Sequence, residues 1–528
     1  MKLDYTVQVD TAEGLRELSG SAELEGVLRL APELPEGTIR SAEARLSLYC
    51  SDWERIFMNG FQSWSCSPEY TRRDRIRSLR HLPKAGVRYF GLDRYGDDYF
   101  VPYPDRPGVT HGESWCYFRD GERFRLLASL DERPGYTLFT YDAAAGLLTI
   151  RRDCEGLRCG GAYPVFELYY AEGGEDAVFD GWFAAMGVTA RTQEKIAGYS
   201  SWYNRYQAIS EETILSDLLG CAEVLRPGDL FQIDDGWEPF VGDWLETDAK
   251  KFPNGLKPIA GEIHARGLKA GLWLAPFVAQ KGSALLREHP DWFYLHDGKP
   301  WYCGVNWGGF YALDIDKPEV LAYLREVFRQ VFEDWGFDLV KLDFLYSAAP
   351  FGSETESRAA RMCRAMNILR KACRGKQILG CGVPLWPAFG IVEYCRVGCD
   401  VGLDWNGSKL MQITHRERVS TKQSIEDTTF RRELTGRAFM GDPDVFFLRE
   451  GNCVLTPEEK EKLYTANALL GGMLLTSDAL NQYDDAKKAQ FAHVRDLLEN
   501  AADVTVDADD GLVLSWTLNG EAKTLRIL

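Results

Sequence analysis

The sequence lacks several features that would place it quickly. Across 528 residues no run approaches the roughly 18 apolar residues of a membrane span, and the opening MKLDYTVQVD has neither a basic n-region nor an apolar h-region. A cytoplasmic protein without a membrane partner is the expectation. Positive charge is scarce: 61 Lys and Arg face 79 Asp and Glu, a formal net charge of −18, which argues against a phosphate-tracking surface and a nucleic-acid partner. The 13 cysteines contain no C-x-x-C pair, so neither a zinc ribbon nor a dithiol redox motif is visible, and they read as reduced, mostly buried thiols. Only 7 histidines occur, with no H-E-x-x-H; the G-x-S-x-G elbow, the G-x-x-x-x-G-K-[ST] phosphate loop and a G-x-G-x-x-G after a strand are missing too. No metal and no cofactor is expected. His264, within IHARG, reads as a structural helix residue.

Aromatic residues are plentiful. They make up 12 % of the chain, with 15 Trp, which suits a large β core and equally suits sugar binding, because pyranose C–H faces pack on aromatic planes. From Leu3 to about Tyr170, short alternating runs such as LDYTVQV, ARLSLYC and GLLTIRR are split by Gly, Pro and Asp turns, the period-2 signal of an antiparallel β sandwich. A helical stretch at 176–187 follows, and a boundary is set near 190. Beyond it, apolar strands alternate with amphipathic segments. Eight strands are expected, around Ser200–Tyr203, Leu230–Asp234, Ala270–Ala275, Leu339–Asp343, Ile378–Cys381, Cys395–Cys399, Val445–Leu448 and Met473–Leu475. The expected fold is a multidomain β and α/β protein: an N-terminal β-supersandwich over 1–190, a (β/α)₈ TIM barrel over 191–498 and a small C-terminal antiparallel β element over 499–528. An aromatic, Gly-rich insertion from about Asp291 to Asp314 lies where barrel enzymes build substrate pockets.

Acidic residues cluster at the carboxyl ends of these strands, in FQIDDGW at 231–237, VKLDF at 340–344, YCRVGCD at 394–400 and, more loosely, MGDPDVFFL at 440–448. A single strand-end Asp often only caps the next helix, but several converging strands favour a site, since a buried charge costs several kcal/mol otherwise. Lys341 and Asp343 share one strand face, so the cation is expected to hold the carboxylate ionised; Arg396 and Asp400 share a face by the same parity. Two carboxylates facing one pocket is what a glycosidase needs, one to attack and one to protonate the leaving oxygen. Two structural ion pairs inside the barrel are the competing reading.

These motifs resemble the retaining α-galactosidases of glycoside hydrolase family 36, of the compact bacterial and archaeal type. The similar segments span nearly the whole chain: NGFQSWS at 59–65, SSWYN at 200–204, FQIDDGW, GLKPIAGEIHARGLKAGLWLAPF at 255–277, FYALD at 310–314, VKLDF, GCGVPLWPAFGIV at 380–392, CRVGCDVG and GDPDVFFLR at 441–449. The resemblance implies hydrolysis of terminal α-galactosides by double displacement, with Asp343 as nucleophile and Asp400 as acid/base. It further implies that Lys341 and Arg396 contact sugar hydroxyls, that Asp234 and Asp235 grip O4 and O6, that Trp202, Tyr203, Trp273 and Trp64 line the sugar subsite, and that Cys381 and Gly382 meet the C2 substituent. Gly441 departs from the Asn that commonly precedes Asp-Pro-Asp, and the C-terminal β region is shorter than in larger members, which leaves the oligomeric state, a homo-oligomer included, open. Rival readings are an α-N-acetylgalactosaminidase, a raffinose-synthase-like transglycosylase and a non-catalytic sugar-binding protein. All expect a small oligosaccharide or glycoside as partner.

Overall fold

The computed structural model describes residues 1–99, 103–409, 412, 416–509 and 511–528. Its N-terminal part is a sandwich of two antiparallel sheets. Lys2–Thr11, Gly14–Glu23, Glu33–Ser47, Val109–Glu113, Thr137–Asp142, Leu147–Arg152 and Arg158–Ala162 form one; Gly26–Leu30, Arg55–Met58, Glu69–Tyr70, Trp115–Asp120, Arg123–Ser129 and Phe166–Gly173 form the other. Alternation assigns the faces: Leu3, Val7, Val9, Ala44 and Leu46 pack in the sandwich core against Ile56, Met58, Cys116 and Phe118. The intervening residues Phe57, Trp115 and Tyr117 turn to the opposite face. There they meet the helix Glu175–Met186 and the barrel, with the Trp115 ring 5.5 Å from Trp182 and 6.1 Å from Phe389. The second sheet is therefore buried on both sides, which fixes the sandwich rigidly on the barrel wall.

The barrel strands are Ile196–Ser200, Leu230–Ile233, Lys269–Leu274, Leu339–Leu342, Gln377–Gly380, Tyr394–Arg396, the pair Met440–Asp442 and Val445–Phe446, and Met473–Thr476, all pairing in parallel. The seventh position is one strand broken at Pro443 and Asp444, so nine segments fill eight places, and the Gly472 N–H donating to the Gly441 carbonyl at 2.7 Å joins the last strand to it. The fold class anticipated from the alternation is the one observed. Three strands depart from their expected spans, the broken seventh among them, which starts at Met440 and ends at Phe446 where Val445–Leu448 is expected. The first begins and ends earlier, because small residues at Ala197 and Gly198 weaken its apolar signal while Trp202 and Tyr203, which form a helical turn over Trp202–Arg205, strengthen the wrong segment. The sixth stops at Arg396, with Cys399 and Asp400 on the following loop. Three antiparallel strands, Ala502–Asp507, Val513–Leu518 and Glu521–Arg526, close the chain. Among the described residues no helix is long and apolar enough to cross a membrane.

Candidate active site

Asp343 follows the fourth barrel strand directly, its N–H still donating to the Leu274 carbonyl at 2.8 Å. One carboxylate oxygen accepts from Trp273 Nε1 at 3.1 Å and the other from the Phe344 N–H at 2.9 Å, so both are oriented. Burial raises its pKa above the ordinary value; the Lys341 charge opposes the shift and the Asp400 charge adds to it. Lys341 is not bonded to Asp343, contrary to the strand-face argument. Its ammonium, buried, donates to Asp234 Oδ2 at 2.9 Å past the end of the intervening third strand and acts on Asp343 through space.

Asp234 and Asp235 sit past the second strand. Asp234 accepts from Lys341, from Gln232 Nε2 at 2.9 Å and from the Asp235 N–H at 3.0 Å. Asp235 Oδ2 accepts from Gln207 Nε2 at 2.8 Å and Trp307 Nε1 at 2.9 Å, while its buried Oδ1 lacks a partner. Gly236, at φ +116°, lets this turn pack on the Gln207 backbone, which a Cβ would meet at 2.8 Å. Burial and the Asp235 charge push the neighbouring Glu238 well above the usual carboxylate range.

At the end of the sixth strand, Arg396 forks to three carboxylates: Asp400 at 2.7 Å, Asp442 at 3.1 Å and Asp444 at 2.9 Å. Arg396 and Asp400 thus pair as expected, though through a loop and not by strand parity. Asp400 keeps 40 % of its side chain exposed, whereas Asp442 and Asp444 are buried. The Tyr203 hydroxyl donates to Asp444 at 2.5 Å. Burial, opposed by Arg396 and reinforced by Asp400 and Asp442, lifts Asp444 to about 6.

Trp64 arrives from the sandwich. Its Nε1 donates to Cys381 Sγ at 3.3 Å and its ring meets Phe344 edge-on at 5.2 Å. Gly382 lies at φ +55°, and a Cβ there would stand 2.9 Å from the Trp64 indole. The room this glycine clears is filled by Trp64. Trp202 is partly buried beside Tyr203, edge-on to Tyr206 at 5.1 Å.

A family model for Melibiase matches residues 198–368, the stretch carrying the first four barrel strands. Over the whole fold the chain is similar to TtGalA, an α-galactosidase from Thermus thermophilus bound to p-nitrophenyl α-D-galactopyranoside, with 26 % identity, 98 % of each chain covered and a TM-score of 0.75. The fold is also that of the family 36 α-galactosidase AgaA from Geobacillus stearothermophilus, at 14 % identity, a TM-score of 0.58 and coverage of 97 % of this chain and 73 % of the other. An α-galactosidase of Escherichia coli is 30 % identical over 152 residues, which is 27 % of this chain and 21 % of that relative. The chain is thus similar, in fold over its whole length and in sequence over its first barrel strands, to α-galactosidases of glycoside hydrolase family 36.

The site residues singled out from the sequence lie in or against the strand-end cluster. Four residues there were not singled out. Asp442 and Asp444 stood in a motif that was noted, but they precede the apolar run, and only the break in the seventh strand, with Asp444 at φ +71°, brings them both to Arg396. Trp307 lies in the aromatic insertion, whose place in the pocket was expected without any one residue being chosen. Gln207 carried no signal, since an amide after a helical turn resembles any surface loop.

Proposed function

We propose that this protein is a retaining α-galactosidase that works in the cytoplasm without a cofactor. The observation that carries the reading is one cluster holding an oriented, buried carboxylate at Asp343, a half-exposed one at Asp400 and the Lys341-linked acidic pair at Asp234 and Asp235. In the first step an Asp343 oxygen attacks the anomeric carbon as the glycosidic bond breaks, and the leaving oxygen takes the proton of Asp400. In the second, Asp400 removes a proton from water, which displaces the Asp343 carboxylate from the same face the aglycone left. Trp273 and the Phe344 N–H hold Asp343 in line for attack and cost no reorganisation during the reaction. The thirteen free thiols, mostly buried, suit a reducing compartment.

Galactose differs from glucose in its axial O4, and Asp234 and Asp235 are the acceptors assigned to O4 and O6. A glucoside would leave the buried Asp235 Oδ1, which lacks a protein partner, without a hydroxyl, so discrimination of roughly a thousandfold is expected. The filling of the Gly382 space by Trp64 supports a hydroxyl over an acetamido group at C2. A panel of nitrophenyl α-galactoside, α-N-acetylgalactosaminide, α-glucoside and β-galactoside tests substrate choice, and proton NMR of the first-formed anomer tests retention. Comparable turnover of the α-glucoside would overturn the assignment, and binding without turnover would favour a sugar-binding protein.

A further inference from the structure

Tyr206 ends the helical turn Trp202–Arg205 at φ 48°, ψ −139°, a backbone region that an aromatic residue rarely adopts. The surroundings force it there. Its N–H donates to the Trp202 carbonyl at 2.5 Å. The next residue is pinned from two sides: Lys251 Nζ bridges the Gln207 and Gly236 carbonyls at 2.8 and 2.9 Å, and the Gln207 amide reaches Asp235 at 2.8 Å. The strain therefore comes with holding Asp235, and it directs one side chain outward. That side chain is 40 % exposed, its ring edge-on to Trp202 at 5.1 Å and centred 6.2 Å from Tyr203. A core role does not explain an aromatic ring left so open. Tyr203, against which the ring rests, donates to Asp444, and Asp444 shares Arg396 with Asp400, so the ring stands on the Asp400 side of the cluster.

We propose that Tyr206 is a specificity residue for the leaving group, a stacking surface for the pyranose ring that departs from the galactosyl unit. The inference rests on Asp400 as the proton donor, because the group that protonates the leaving oxygen must border the departing sugar. A ring fixed beside that proton donor and open on its outer side can cover an apolar pyranose face, and it would hold the glycosidic oxygen near the Asp400 proton. Acceptor sugars in transglycosylation would occupy the same surface.

The test compares two substrates in wild type, Tyr206→Ala and Tyr206→Phe: an α-galactosyl trisaccharide of the raffinose kind, and α-galactosyl fluoride, whose leaving group has no ring. Tyr206→Ala should lower kcat/KM for the trisaccharide five- to twentyfold more than for the fluoride, and Tyr206→Phe should restore most of the ratio. Alongside, calorimetric Kd values of trisaccharide and free galactose in an Asp343→Asn background should diverge in the same sense when Tyr206 is removed. Equal losses on both substrates, or an unchanged Kd ratio, would overturn the inference and assign Tyr206 a purely structural role. A wild-type chain that binds the trisaccharide but cleaves neither substrate would instead sink the hydrolase reading, leaving the Kd ratio to judge Tyr206. Absence of all sugar binding would end both.

Discussion

At the scale of single residues, the environment of Asp343 sets a pH dependence. As the proposed nucleophile Asp343 must be ionised, and burial raises this carboxyl above its ordinary value, so kcat/KM should fall on the acid side through an apparent pKa above the usual aspartate range. Lys341 opposes that shift from its bond with Asp234. In Lys341→Met the acid limb should move to higher pH whatever happens to the maximum rate; an unmoved limb would mean that another group titrates there. Asp400 predicts a different asymmetry. In its proposed role as acid, its proton matters most for a poor leaving group, so Asp400→Ala should cut turnover of a sugar-linked α-galactoside by ~100-fold or more while the first step with an activated aryl substrate suffers far less, as single-turnover kinetics would show. The Lys341 pair also decides how to probe Asp234. Asp234→Ala would leave a buried ammonium without its carboxylate and destabilise the fold by about 3–5 kcal/mol, whereas Asp234→Asn keeps the shape and should shrink the galactoside-to-glucoside ratio of kcat/KM.

At the scale of elements, the loop 59–67 is held by the buried Arg431 guanidinium, which donates to Asn59 Oδ1 at 3.0 Å, the Ser63 carbonyl at 2.9 Å, Ser67 Oγ at 2.9 Å and the Val397 carbonyl at 2.7 Å of the barrel. Asp427 continues the link, accepting from the Ser67 N–H at 2.6 Å. Arg431→Met should free this loop and raise KM, through lost Trp64 contact, more than it lowers kcat; a changed kcat alone would show that Trp64 stays seated. This junction shows what sequence can and cannot convey. Alternation and strand-end acids made the sheets, the barrel and the cluster around Asp343 and Asp400 legible, because side-chain period and the cost of buried charge act locally. Which cation serves which carboxylate was not legible. Lys341 is two residues from Asp343 yet bonds Asp234, 107 residues away, since alternate barrel strands, here the second and the fourth, send side chains into one interior layer, which spacing along one strand does not show.

At the scale of the whole molecule, carboxyls buried where no single cation fully compensates them shape stability. Burial lifts Asp427 to about 7 against the pull of Arg431, and Glu132 to about 7 against that of Arg152. Between the ordinary carboxylate values and pH 7 the native state keeps protons that the unfolded chain has released, so stability declines as pH rises through that window and levels off above it. Asp97 behaves oppositely: despite burial, Arg416 and His111 hold it low, and that contribution disappears as pH falls below the usual aspartate range. The melting temperature should therefore peak near the ordinary carboxylate values, at about pH 4–4.5, and decline to about pH 7 before levelling off, and Asp427→Asn should flatten that decline. A profile still rising between pH 6 and 8 would contradict these shifts. Trp64 belongs to a loop in the first eighth of the chain, and it closes against Cys381 and Gly382, more than three hundred residues later. Since a nascent chain folds from its amino end, the sandwich and this loop can form while the ribosome is still making the barrel. The tryptophan then waits exposed until the fifth barrel strand emerges, and a ribosome stalled before that point would carry a folded sandwich whose Trp64 lacks Cys381 and Gly382 to close against.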